Sequence, residues 1–326
     1  YTFDFVAYDG TNIKHEFIDI YLNEVPKKRE KVLLFAGNSS TEIYDFNQGN
    51  PQLLQQFSGS PINAYINSKT QQVWLLHNHS EIKLLDASGL SPQWSTNENC
   101  SQSFPCITAS GFFNDEMYYA TYYQKIKSLD NNGTPKFTYT LTNTNEFSDC
   151  IFADNDYVFA EIKNYQNSLL KLNVHYELTA AFKQSFDYTY GYSDIIGIAP
   201  YGPNEYLVLL NDNSGNAALL VYNIISNSNW TPKTLPTQNA TSFTVINDNE
   251  ILMTIGSTTY LYLISNNSLL PYFNQAYSKI FYEPLNNELY AIVNNQTDVY
   301  DYSSKQLKFS YTHSTPINKI AFLYNK

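Results

Sequence analysis

A repeat constrains this chain more than any other feature. A short polar turn followed by an alternating apolar strand recurs at Asn114-Asp115-Glu116-Met117-Tyr118, Asp154-Asn155-Asp156-Tyr157-Val158, Pro203-Asn204-Glu205-Tyr206-Leu207, Asn247-Asp248-Asn249-Glu250-Ile251 and Asn286-Asn287-Glu288-Leu289-Tyr290. A looser copy runs from Ser68 to Trp74. Asn and Asp tolerate positive φ and close their own turn hydrogen bonds, and the residues after them alternate with period two, so each copy reads as a hairpin turn and its strand. A further strand follows and often ends in Asp or Asn, as in Glu81 to Asp86, Lys125 to Asp130, Leu219 to Asn223 and Asp298 to Asp301. A more polar strand comes next, as in Pro135 to Tyr139 and Leu307 to Tyr311.

One more strand precedes each polar turn, starting near Pro61, Ile107, Phe147, Tyr192, Thr241, Tyr277 and Pro316 at intervals of 36 to 49 residues. That is the period of a four-stranded unit that cannot cover its own faces and must stack on its neighbours. The chain ends complement each other. Pro316 to Tyr324 has the form of a first strand without successors, while residues 32 to 57 supply three later strands without a predecessor. Joining them completes a seventh unit and leaves no open seam. The expected fold is therefore all-β: a seven-bladed β-propeller over 31–326 whose C-terminal strand closes the first blade. A pair of β-sandwiches would share the short strands and turns but not the complementary ends.

In strand period and turn chemistry the chain resembles the broad class of seven-bladed β-propellers with short degenerate repeats, found in secreted quinoprotein-like and YVTN-type proteins. The resemblance covers about residues 31 to 326 and implies the fold alone, because the marked subfamily motifs (Gly-His with Trp-Asp, paired kelch glycines, a repeated docking Trp) are absent.

Residues 1–30 stand outside the repeat. Thr2 to Tyr8 and Lys14 to Leu22 both alternate, with Asp9-Gly10 between them, and are expected to form an N-terminal β-hairpin around Asp9 to Asn12. The hairpin either packs on the propeller or adds a strand to a neighbouring copy. Lys27-Lys28-Arg29-Glu30-Lys31 reads as a solvated linker.

Charge narrows the partners. The net charge of −11 and a single arginine, Arg29, argue against nucleic acid and membrane headgroups, and no stretch approaches a membrane span. Charged residues are only 15% of the chain and are replaced by neutral polar ones. Such a surface suits an acidic medium, although an AT-rich genome yields the same composition. The chain starts at Tyr1 rather than Met, as after removal of a secretory signal, though an excised segment would look identical. The expected location is extracellular, at the cell surface.

Eight N-glycosylation sequons occur, at Asn38, Asn78, Asn99, Asn132, Asn229, Asn239, Asn266 and Asn295, against about six expected by chance from the composition. Each falls at an expected turn or strand end. Cys100 and Cys106 bracket a short polar loop and are expected to form a disulfide in an oxidising compartment, leaving Cys150 as a free, buried thiol.

No nucleophile elbow, phosphate loop or metal-ligand spacing is present, so no catalytic residue, metal or cofactor is assigned. His77 and His79 lack a third ligand. Asp149 and Asp194 each lie two residues past the start of an innermost strand, at the expected channel mouth, where turn or capping roles compete with catalysis. The many tyrosines fit spaces between blades better than sugar-stacking platforms. The function expected is a secreted, glycosylated surface module that binds other surface proteins or copies of itself, assembling through its N-terminal strands into a filament or array. The alternative is a glycan-acting enzyme or lectin with its site at the channel mouth.

Overall fold

The computed structural model describes residues 2–8, 13–19 and 26–326, apart from 48, 78–79, 99–105, 123–124, 142–145, 165–167 and 180; for 2–8 and 13–19 it describes the strands but not the side chains. Seven four-stranded antiparallel sheets form a seven-bladed β-propeller. Innermost strands begin at Pro61, Ile107, Ile151, Tyr192, Ala240, Lys279 and Ile317, in blades 2 to 7 and then 1. Blade 1 pairs Ile317–Tyr324 with Arg29–Ala36, followed by Ser40–Asp45 and Gln52–Ser58, so the chain's last strand closes the first blade.

The turn chemistry is the expected one. Asn114, Asp115, Asn204 and Asn287 take positive φ between 51° and 63°. The Asp and Asn residues that end the third strands fold back on their own turns. Asp86 accepts from Ser88 N at 2.8 Å, Asp130 from Asn132 N at 2.8 Å, and Asn223 from Ile225 N at 3.0 Å. These backbone donors favour the ionised form and hold Asp86 below the usual carboxylate range.

The core lies between blades. Seven apolar clusters are present among the described residues, each joining two successive blades. In Arg29–Ala36, Val32, Leu34 and Ala36 pack toward blade 7, while Leu33 and Phe35 pack toward blade 2. A strand covered on both faces needs a continuous apolar run, and VLLFA supplies it. The tyrosines serve this packing: Tyr118, Tyr119, Tyr222, Tyr262, Tyr277 and Tyr290 are among the largest fully buried side chains. Their hydroxyls find polar partners at seam edges, as in Tyr119 with Glu98 at 2.6 Å and Tyr118 with Glu177 at 2.8 Å.

One reading of the sequence needs correction. Arg29 is not part of a solvated linker: its side chain is 9% exposed and pairs with Glu283 at 3.1 Å and with Glu288, both on blade 7. Tyr324 Oη donates to Glu283 at 2.7 Å, so both strands of the closure reach the same carboxylate. Pairing draws the guanidinium inward, which local charge density does not reveal. Removing one member of a buried pair costs about 3–5 kcal/mol. Because Lys308 also pairs with Glu288, Arg29→Met is expected at the lower end, about 3 kcal/mol. Urea denaturation of both chains at neutral pH measures this, and an unchanged midpoint would show that the triad does not secure the closure.

The N-terminal segment forms a two-stranded sheet, Thr2–Tyr8 against Ile13–Asp19, and among the described residues these strands join no blade. Its expected turn, Asp9 to Asn12, lies outside the described residues. No helix among the described residues is long and apolar enough to cross a membrane.

Candidate functional site: the central channel

The seven innermost strands surround a central cavity of about 540 Å³, and every blade contributes at least one residue to its lining. The two sides carry opposite charge chemistry.

On the blade 4 side the innermost strand is interrupted. Phe147 bridges Lys163, the chain detours through Ser148, Asp149 and Cys150, and pairing resumes at Ile151. The detour buries Ser148 and leaves Asp149 lining the cavity. Lys163, only 4% exposed on the second strand of this blade, gathers three carboxylates. Asp149 lies 3.2 Å and Glu161 3.3 Å from its Nζ, and Asp194 of blade 5 binds it directly. Both aspartates singled out in the sequence thus meet at one ammonium, and they act as ion-pair partners rather than as turn or capping residues. Asp149 lines the cavity, while Asp194 turns to Lys163.

Glu161 is fully buried and accepts from Ile195 N at 2.7 Å. Burial pushes its pKa up to about 7 against the opposing pull of Lys163, and Asp149 adds to the rise. Among the described residues its Oε2 has no hydrogen-bond partner. Cys150 is free and half-buried against the apolar seam between blades 4 and 5, and burial raises its thiol pKa, the signature of an inert structural cysteine.

The other side is basic. Lys279 of blade 7 and Lys319 of blade 1 both line the cavity. Lys279 Nζ donates to Asn318 O at 2.7 Å. Lys319 Nζ lies over the Tyr65 ring at 4.7 Å and the Phe281 ring at 5.1 Å, a two-sided cation–π clamp. Burial, with Lys279 beside it, pulls Lys319 down to about 8, and partial desolvation lowers Lys279, which stays exposed to solvent. Next to them Asn63 Nδ2 donates to Tyr65 Oη at 2.6 Å, and Tyr65 Oη donates to Ser110 O at 2.8 Å, fixing the ring that carries the ammonium. Gly197 allows Phe243 into the wall, since a Cβ there would sit 2.4 Å from the Phe243 ring.

The two lysines were not singled out in the sequence, yet a signal was present. The offset that led to Asp149 and Asp194, two residues past the start of an innermost strand, also leads from Tyr277 to Lys279. Lys319 stands in the same register, two residues past Ile317, where the structure begins that strand one residue later than the sequence placed it, and it follows the same bulge that precedes Asp194.

The other expected site residues lie away from the channel chemistry. His77 is buried with Nδ1 3.3 Å from Thr41 Oγ1, and His79 lies outside the described residues. No group of three His, Cys, Asp or Glu side chains among the described residues is placed to hold a metal ion. Of the sequons, Asn38, Asn132, Asn239 and Asn266 are exposed, and Asn229 and Asn295 are half-buried. Asn78 and Asn99 lie outside the described residues, as does Cys100, and with it the expected bridge to Cys106.

Fold and site together define a seven-bladed β-propeller with a polar, asymmetrically charged channel. No family model matches the sequence, and no curated protein matches it. Among solved structures the chain is similar to the computationally designed Ika8 protein, with a TM-score of 0.61 and 14% identity over 91% of each chain. It is also similar to Saccharomyces cerevisiae Sqt1, with a TM-score of 0.61 and 10% identity over 89% of this chain and 84% of that one. These likenesses carry the fold alone.

Proposed function

We propose that the protein is a secreted, N-glycosylated cell-surface structural or interaction module that assembles through its N-terminal strands. The observation that carries this reading is the hairpin Thr2–Tyr8 and Ile13–Asp19, whose strands pair with each other in their own sheet and, among the described residues, with no blade strand. An isolated two-stranded hairpin is marginal in water, so its ordering calls for a covering surface. The outer strands of the blades offer such edges; Gln52–Ser58, for example, is exposed along most of its length. Strand addition to a blade edge of a second copy satisfies both elements with main-chain hydrogen bonds. The exposed sequons at Asn38, Asn132, Asn239 and Asn266 support glycan attachment around the ring.

Electron microscopy and light scattering of the full chain beside residues 26–326 test the reading. Ordered polymers are expected from the full chain and monomers from the shortened one. Identical assemblies from both would remove the hairpin from the mechanism. Mass spectrometry of protein from its native source reads sequon occupancy directly.

A second reading, a lectin or glycan-acting enzyme at the channel mouth, draws support from the carboxylates gathered at Lys163. Turnover on a panel of glycans, lost in Asp149→Asn, distinguishes it from the first.

A further inference from the structure

The channel's basic side does not fit the electrostatics of the rest of the molecule. The chain carries 30 acidic against 19 basic residues. Several of its cations use that surplus: Arg29 pairs with Glu283 and Glu288, Lys127 with Glu98, Lys163 with Glu161, Asp149 and Asp194. Lys279 and Lys319 do not. Among the described residues neither has a carboxylate within ion-pair distance, and the two share one cavity.

Placing a half-buried Lys319 beside an exposed Lys279 at one cavity is unfavourable, and nothing in the composition forces it, since an acid opposite either lysine would relieve it. The surroundings position these ammonium groups without neutralising them. The Tyr65 and Phe281 rings hold the Lys319 ammonium, and a backbone carbonyl holds that of Lys279. A fixed, uncompensated pair of cations in a cavity large enough for a solute is the complement of an anion. The one carboxylate in the lining, Asp149, is engaged by Lys163.

We propose that the channel is an oxyanion-binding site in which the ammonium groups of Lys279 and Lys319 hold the carboxylate, sulfate or phosphate group of a small solute. The inference is independent of the assembly proposed above, since it concerns the axis of the ring rather than its edges. Both lysines must be charged to bind. The titratable groups facing Lys319 are Lys279, Tyr65, which burial keeps protonated, and Asp149 across the cavity. With Lys319 at about 8, binding is strong below that pH and is lost above it, falling about tenfold between pH 6 and pH 9.

Calorimetric titration of the full chain with inorganic sulfate, inorganic phosphate, glucuronate and neutral glucose tests the site. Binding of at least one of the three anions and none of glucose is expected, and the anion preferred identifies the headgroup. The pH series uses sulfate or glucuronate, whose own charge is constant over that range. Lys279→Gln and Lys319→Gln are each expected to weaken binding tenfold or more, and Lys319→Arg to retain it. Thermal unfolding of each variant confirms that its fold is intact. Absence of anion binding by the parent chain at 10 mM ligand (about 2.7 kcal/mol of standard binding free energy), equal binding by folded glutamine variants, or equal binding of glucose would overturn the proposal.

Discussion

A chain ending at Thr315 is expected to lose cooperative folding altogether. The truncation removes the innermost strand of blade 1, and with it Ile317, Ile320, Ala321 and Leu323, all buried. Burying a large aliphatic side chain contributes about 1.5–3 kcal/mol, so the three largest alone contribute about 5–9 kcal/mol against a typical total stability of about 5–15 kcal/mol. The loss is not local. Arg29–Ala36 would keep its apolar faces but lose its inner pairing partner, and the seam toward blade 7 would lose Ile317 and Ile320. Circular dichroism during urea titration should show no sigmoidal transition. A circular permutant supplies the control: Asn325 N donates to Lys28 O at 2.9 Å, and Lys28 N to Asn325 Oδ1 at 2.7 Å, so the end of the chain already touches the start of blade 1. Joining Lys326 to Lys27 by a short linker, omitting residues 1–26 and opening the exposed turn between Ser214 and Gly215 should restore a cooperative transition. A truncated chain with a near-parental midpoint would mean that closure does not hold the ring.

Lys163→Met should produce the largest point-mutant effect, and one that depends on pH. It leaves Glu161 fully buried without its cation at pH 8, where it is either charged and unpaired or forced to take up a proton, beside two aspartates that have lost their counter-charge. Breaking a buried pair costs about 3–5 kcal/mol, and with three carboxylates converging the upper end is expected. Asp149 and Asp194 are 35% and 43% exposed and remain solvated, so Glu161 carries most of the penalty. In the parent chain Glu161 sits at about 7, above its unfolded value near 4.5. A carboxyl raised on folding contributes stability that is complete below the unfolded value and is lost as pH rises through the folded one. The Lys163→Met chain lacks the ammonium that pulls Glu161 down, so its carboxyl titrates above the parent's, and the penalty should shrink as pH falls toward 7 and stay small below it. Denaturation of both chains at pH 5 and pH 8 measures it. A penalty that is equal at the two values would mean that Glu161 is not its source.

The same cluster shows how far the sequence carries. Asp149 and Asp194 were legible because an innermost strand places the residue two past its start near the axis. Their shared partner, Lys163, was not legible, because it lies on a different strand and only folding brings it to both. Arg29 misled for the same reason: a run of charges in sequence says nothing about carboxylates more than 250 residues away in blade 7. Lys319 was hidden by a one-residue error in the strand start, which the structure places at Ile317 rather than Pro316, since the exact first paired residue is set by the neighbouring strand.

The order of strands, the turns, the blade number and the closure of the ring were all determined by the sequence alone, because they rest on local periodicity and on turn residues whose conformational preferences act within a few positions. Which ionisable groups share the channel, and which are compensated there, was decided only in three dimensions. Charge interactions depend on distance through the fold and on burial, and neither is a property of neighbouring residues along the chain.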